Sequence, residues 1–582
     1  MPIAEKIRRR LLVSLSTALL GLQATAFWTA EAATLAPTRY GAGVVASDHP
    51  LASAAGAAVL KNGGNAFDAA IVTSLMLSVV RPHSTGIGGG GFMVLRDSKG
   101  RARVLDYRET APARAHRDMY LDSQGQPLPG ASTTGYKAIA VPGLLAGLDT
   151  IHRAYGSRPL AELLQPAIDA AEKGFAVDAH LAHAMQVLHQ RGARNDLKAL
   201  FFEQGQPRQI GDLQRNPLLA QTLRTVAREG IKAFYSGSVA QKIAAAMQAE
   251  GGLITAADLK AYQPTWREPL KGSYRGHEIL TMPPPSSGGT ALLTVLNLLE
   301  PYALGWNSSG HGSSQHTHLL AEALKHAFSD RAHYLGDPGF VDVPTARLIS
   351  KAHAAALRPQ LLAAQWQTLS REQYGLKWLE AFEKPLAAPL SDGGTTHFAV
   401  MDRLGNVVSA TETINTYFGS QVVIPGTGLV MNNEMDDFSK SPGVPNAFGL
   451  IGTEANAIAP GKKPLSSMTP TIVLKDGQPL LAVGASGGPR IITGTLQTLM
   501  NVIDFGMNVN EAVSAPRIHH QWVPETLYIE REMPQDVREA LQRRGHVLSL
   551  GEAESAVQAV MFREGVFSGA SDPRKGGQPS GY

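Results

Sequence analysis

Residues 395–413, TTHFAVMDRLGNVVSATET, leave the backbone little choice. Two runs rich in β-branched and apolar residues flank a Gly-Asn turn at Arg403 to Asn406, the pattern of a β-hairpin. Before it stand Ser391-Asp392-Gly393-Gly394, and before those an Ala-, Gln- and Leu-rich tract, 352–390, expected as helix or linker. The bland use of Gly393-Gly394 is a strand entry. The other is chemical, because glycine permits backbone distortion that other residues resist. A threonine hydroxyl inside a chain has no base of its own. If the Gly394–Thr395 bond were cut, Thr395 would carry an α-amine of pKa about 7.7–8.0, able to take the proton from its own hydroxyl.

Around this junction, strands and helices occur in both halves of the chain. HPLASAAGAAVLKNGGNAFDAAIVTSLMLSVV is two alanine-rich helices parted by Gly63-Gly64, and FMVLRDSKGRARVLDYRE is a strand, a turn and a strand. From about 140 to 260 the Leu and Ala spacing is mainly helical. A strand at GSYRGHEIL stops at three prolines, and helices follow from Gly289 to about Glu300 and from His316 to His333. TPTIVL and PLLAVGA are further strands, with a helix from Ile491 to Ile503. This mixture indicates an α+β fold of sheets covered by helix layers.

At 582 residues, with 44% hydrophobic and 18% charged residues, the chain is globular and exceeds one ordinary core. Its net charge of +4 gives no electrostatic case for nucleic acid, and the absence of cysteine excludes disulfides and thiolate chemistry. The first residues run from basic (Lys6, Arg8, Arg9, Arg10) through an apolar stretch to Ala30-Glu31-Ala32, a signal-peptide pattern over 1–32. A cut after Ala24-Thr25-Ala26 is an alternative. The apolar stretch contains Ser, Thr and Gln, too polar for a permanent span, so a periplasmic or secreted protein is expected.

Several motifs compete for the chemistry. Gly484-Ala485-Ser486-Gly487-Gly488 lies between a strand and a helix, where a serine nucleophile elbow would lie, with Asp504, His519 and His520 downstream. Among 59 glycines, however, two glycines and a serine at this spacing arise readily as a plain turn, whose N–H groups could still hold an oxyanion. GIGGGG (86–91) precedes a strand rather than following one, the reverse of a dinucleotide loop, so it is expected to be a tight packing turn. Of His311, His316 and His318, the last two are too close in sequence to share a helix face as metal ligands. Asn432, Asn433, Glu434, Asp436 and Asp437 lack calcium-loop spacing, and their carboxylates could hold an ammonium group instead.

The run from Thr395 through TETINTYFGS closely resembles the start of the small subunit of γ-glutamyltranspeptidases, also called glutathione hydrolases. MNNEMDDFSKSPGVPN, GKKPLSSMTPTIV, GASGGPRIITGTLQ and GASDPR extend that likeness to the C-terminus. PHSTGIGGGGFMVLRD, LDYRETAP, AVPG and MPPPSSGG match the large subunit in order, so the resemblance spans about residue 36 onward.

The resemblance implies an N-terminal-nucleophile hydrolase with a four-layer αββα sandwich, shared by a large subunit (33–394) and a small one (395–582) cut from one precursor. The cleavage site would be Gly394-Thr395, with Thr395 the nucleophile and Thr413 its orienting partner. Gly487 and Gly488 match the oxyanion hole. Arg108, Ser466 and Ser467 match the groups for the donor's α-carboxylate, and Asn415, Glu434 and Asp437 those for its ammonium. Glutathione or another γ-glutamyl amide would be the donor and water, an amino acid or a dipeptide the acceptor, with no metal or cofactor. Phe448 falls where bacterial relatives often carry a lid tyrosine. Some relatives prefer cephalosporin-type acyl groups, which would share part of the same set. An esterase built on Ser486 and a non-catalytic binder of γ-glutamyl compounds remain as rivals.

Overall fold

The hairpin that opens at Thr395 forms the middle of a sheet whose other strands come from hundreds of residues away. The computed structural model describes residues 36–305, 310–375, 394–551 and 555–582. The expected signal segment, 1–32, lies outside these residues, as does the expected helix or linker beyond 375; its earlier part forms the helix Lys351–Ala363.

In chain order, the strands of the two large sheets begin with β1 (Thr38–Tyr40), β2 (Gly43–Ser47), β3 (Gly90–Arg96), β4 (Ala102–Tyr107) and β5 (Thr265–Arg267). Next come β6 (Leu270–Tyr274), β7 (His277–Thr281), β8 (Thr395–Asp402) and β9 (Val407–Thr413). The last are β10 (Thr471–Lys475), β11 (Gln478–Ser486), β12 (Ala556–Arg563), β13 (Val566–Ser571) and β14 (Ser580–Gly581). GSYRGHEIL is thus a hairpin, β6–β7, rather than the single strand expected.

One seven-stranded sheet runs β14-β2-β8-β9-β3-β4-β5 and the other β1-β13-β12-β11-β10-β7-β6, with every pairing antiparallel. In both, strands that follow Thr395 are flanked on either side by strands that precede it.

Successive side chains of a strand face opposite ways, and β8 uses both faces. Phe398 and Val400 share a core with Ile71 and Leu75, whereas Ala399 and Met401 share one with Leu481 and Val483 of the second sheet. Helices α1 (Pro50–Lys61) and α2 (Ala66–Val80) cover the first sheet. An Asn65–Asp68 capping box starts α2. Three more helices, α3 (Gly288–Leu299), α4 (Ser314–Tyr334) and α5 (Arg490–Asp504), complete the far layer. The result is the αββα sandwich that the resemblance implies. Among the described residues no helix is long and apolar enough to cross a membrane.

Candidate active site

Antiparallel register pairs Thr395, the first residue of β8, with Thr413, the last of β9. Directly opposed residues present their side chains on the same face, so the two hydroxyls meet at 3.0 Å. On the far side of Thr413, Gly90 of β3 completes the row. The glycine loop that leads into β3 is a packing turn. A Cβ on Gly89 would stand 2.1 Å from the Thr413 carbonyl oxygen, and one on Gly88 2.3 Å from that of Val430.

Hydrogen-bond chemistry fixes the proton positions around these hydroxyls. The Asn415 N–H can only donate, and it donates to Thr413 Oγ1 at 2.8 Å. The Gly394 carbonyl can only accept, and it takes the single Thr413 proton over 3.0 Å. Thr395 must therefore donate its own proton to Thr413 Oγ1, which leaves lone pairs on the Thr395 oxygen. Lys575, buried, donates to the Thr395 carbonyl and to Ser486 Oγ at 3.3 Å, and pairs with Asp48 at 2.9 Å. Burial alone would raise the Asp48 carboxyl, but Lys575 and Arg81 outweigh it and hold the group below its ordinary value.

A pocket of about 300 Å³ opens on Thr395 and Thr413. Arg108, Asn415, Glu434, Asp437, Ser466, Ser467, Phe448 and Gly488 also line it, so all but two of the expected site residues share one wall. Gly394 stands beside them through its bond to Thr413, and Gly487 precedes Gly488 at the exit of β11. Both Gly487 (φ +119°) and Gly488 (φ +56°) occupy the region that favours glycine. The turn carrying Ser466 and Ser467 is held by the PPSSGG loop: the Ser466 N–H donates to the Pro285 carbonyl (2.9 Å) and the Ser287 N–H to that of Ser466 (2.8 Å).

Arg108, at the end of β4, is buried and ion-paired to both Glu434 and Asp437, with Glu109 3.8 Å away. One guanidinium thus serves three acids, of which Glu109 and Glu434 are buried and Asp437 nearly so. Burial, only partly offset by Arg108, pushes Glu434 well above the carboxylate range, Asp437 up, and Glu109 up to about 7. For Arg108 the same acids outweigh burial and hold it above its ordinary value. Such an acid-rich cluster suits a ligand that brings an ammonium group of its own.

Phe448 and Leu450, in the segment where a lid is expected, line the pocket. Asn446 donates to Asp437 Oδ1 at 3.2 Å and accepts from the N–H groups of Phe448 and Leu450, both at 3.0 Å. Phe448 lies so near Gly488 that a Cβ there would come within 2.6 Å of its ring. Packing rather than a hydroxyl therefore seats the lid.

The elbow reading fails on partners. Ser486 meets Lys575 and the Ala556 carbonyl, whereas Asp504 holds Arg275 and Tyr274. His519 bonds Thr493 and Gln521, and His520 accepts from the Trp522 N–H. His311 and His316 pack edge-on against Phe505, and His318 turns to His546. His318, Glu322 and His546 come close enough to hold an ion, yet the two imidazoles already bond each other at 2.7 Å and Lys325 pairs with Glu322 at 3.0 Å. The cluster is satisfied as it stands.

Asp48 and Lys575 were not among the expected residues. They reach β8 from distant parts of the chain, Lys575 at the Thr395 carbonyl and Asp48 at the Thr396 hydroxyl, and no local spacing joins them to Thr395.

Residues 52–582 match the family model described as Gamma-glutamyltranspeptidase. The "Glutathione hydrolase proenzyme" of Escherichia coli (strain K12) is 42% identical over 92% of this chain and 91% of its own length. The "Acylase ACY 1 proenzyme" of Pseudomonas sp. (strain V22) is 41% identical over 92% of this chain and 93% of its own. Among solved structures, the cephalosporin acylase from Bacillus halodurans superposes with a TM-score of 0.81 at 29% identity, covering 96% of this chain and 98% of that one.

Proposed function

Since the chain belongs to the γ-glutamyltranspeptidase family, we propose that it is an exported, self-cleaving glutathione hydrolase and γ-glutamyltransferase with Thr395 as nucleophile. The observation that carries this reading is the Thr413 hydroxyl bonded to both Thr395 and the Gly394 carbonyl at the edge of an acid-rich pocket.

Cleavage follows from the proton positions. Thr395 Oγ1 bonds to the Gly394 carbonyl carbon while its proton passes to Thr413 and the Thr413 proton passes to the carbonyl oxygen. The adduct then breaks its C–N bond, the nitrogen takes the proton, and water hydrolyses the resulting ester. The products are the segments 33–394 and 395–582, and the new Thr395 amine is the base for every later turn.

In turnover that amine accepts the Thr395 hydroxyl proton as Oγ1 attacks the γ-carbonyl carbon of glutathione or another γ-glutamyl amide. The N–H groups of Gly487 and Gly488 stabilise the oxyanion. Collapse gives the leaving amine the proton and leaves a γ-glutamyl ester on Thr395. Water, or an amino acid or dipeptide amine, then displaces it. Arg108, Ser466 and Ser467 bind the donor carboxylate, a role suited to a planar guanidinium. Asn415, Glu434 and Asp437 bind its ammonium, and no step calls on a metal or cofactor. The basic, then apolar, then small-x-small pattern of residues 1–32 supports export to the periplasm or medium.

The acylase relative supports a second reading, in which larger acyl amides are cleaved at the same threonine. The ammonium-binding trio favours γ-glutamyl donors over glutaryl ones. N-terminal sequencing of the small fragment and an assay on γ-glutamyl-p-nitroanilide, with and without glycylglycine, test the proposal. A mature active chain that stays continuous across 394 and 395 would overturn it.

A further inference from the structure

Arg331, on α4, is buried, yet its hydrogen-bond partners are neutral and distant: Ser287 Oγ at 3.3 Å from Nε, and the Ile451 carbonyl at 3.4 Å from Nη1. A guanidinium kept in the interior without a close carboxylate is costly, so its position calls for a reason. Each contact leads to a different part of the pocket wall. Ser287 donates to the Ser466 carbonyl at 2.7 Å, behind the expected carboxylate-binding turn. Ile451 follows Leu450, the lid residue that lines the pocket. The charged group that acts on Arg331 is Asp437, and Arg331 in turn favours the ionised form of that acid. No role falls to Arg331 in the reaction proposed above.

We propose that Arg331 is a positioning residue for the donor: from behind the wall it holds the lid and the Ser466 turn around Asp437. The inference rests on the assignment of Asp437 to the donor ammonium. In the substrate-free site Asp437 shares Arg108 with Glu434. Around Asp437, Arg108 and Arg331 favour the charged form and Asp436, Glu434 and Glu109 oppose it, while Lys440 pairs with Asp436 at 2.9 Å.

The test is the donor KM of Arg331→Met, Arg331→Gln and Arg331→Lys on γ-glutamyl-p-nitroanilide at pH 6.0 and 8.5, beside Asp437→Asn, with self-cleavage on a gel as the fold control. Because Arg331 touches only the back of the wall, the Met and Gln variants are expected to cleave normally and keep kcat within about threefold. Their KM rises roughly tenfold, and Arg331→Lys recovers most of the loss. A KM within twofold of the parent at both pH values overturns the proposal. So does failure of both neutral variants to fold beside a folded Arg331→Lys, which assigns the arginine to scaffolding. If Asp437→Asn leaves KM unchanged, the donor-site reading itself is at fault, whatever the Arg331 variants do.

Discussion

The Thr413 hydroxyl lies 3.0 Å from the Thr395 hydroxyl and 3.0 Å from the Gly394 carbonyl oxygen, and it can donate to only one of them. Because the carbonyl has no proton to give, the direction of transfer is set before any bond breaks. Thr413→Val preserves the shape of the side chain and removes both roles. Cleavage is expected to slow by about 10²–10³, the usual cost of losing an oxyanion donor, and Thr413→Ser to retain most of it. A time course of the precursor band on denaturing gels measures this.

The two candidate nucleophiles separate cleanly. Thr395→Ala is expected to remain one uncut, inactive chain. Ser486→Ala, which loses a 3.3 Å contact with Lys575, is expected to be cut and to keep activity within about fivefold, since a weak hydrogen bond is worth about 1 kcal/mol. An inactive Ser486→Ala beside an active Thr395→Ala would restore the esterase reading.

Gly488 meets two constraints at once, a φ of +56° and the Phe448 ring 2.6 Å from where its Cβ would stand. Gly488→Ala should displace the lid and lower kcat by at least tenfold. Adding Phe448→Ala should recover part of that loss, because the steric conflict goes while the backbone strain of about 1 kcal/mol stays. Strictly additive losses in the double variant count against this picture of the lid.

Glu412, fully buried between Ser74 and Tyr107, carries a carboxyl that burial pushes up to about 7 from 4.5. A raised acid binds its proton more tightly in the folded state. The stability it contributes is therefore fully present below about pH 4.5 and is lost as pH rises through 7. Glu412→Gln, whose amide oxygen still accepts from Ser74 and Tyr107, removes that dependence. Relative to the parent it should gain up to about 3 kcal/mol between pH 4.5 and 8. Thermal unfolding at both pH values reads the sign, and a gain that shrinks with pH refutes it.

What could be discerned beforehand followed local physics. The 395–413 hairpin showed through its β-branched runs and turn, and α2 through its alanine-rich, mostly apolar run after Gly63-Gly64. Strands β2, β12 and β13 did not show, because GVVAS is short and AVQAVMFR and VFSGAS mix in Ala, Gly, Gln and Ser. They are buried by neighbours that only the finished sheets supply. The same holds within the site. Arg108, Glu434 and Asp437 sit in motifs with a family resemblance, whereas Asp48, Lys575 and Arg331 reach it only through tertiary packing.

Strand order has a consequence for the cut molecule. In the first sheet β8 and β9 lie between β2 and β3, and in the second the block from β13 to β10 lies between β1 and β7. With the β14–β2 pairing, five ladders of main-chain bonds therefore cross from one fragment to the other once the chain is severed. Neither piece can drift off as an intact body, and pulling them apart means melting both. Loss of one partner and loss of the native state should appear as a single cooperative event, at the same temperature and the same denaturant midpoint.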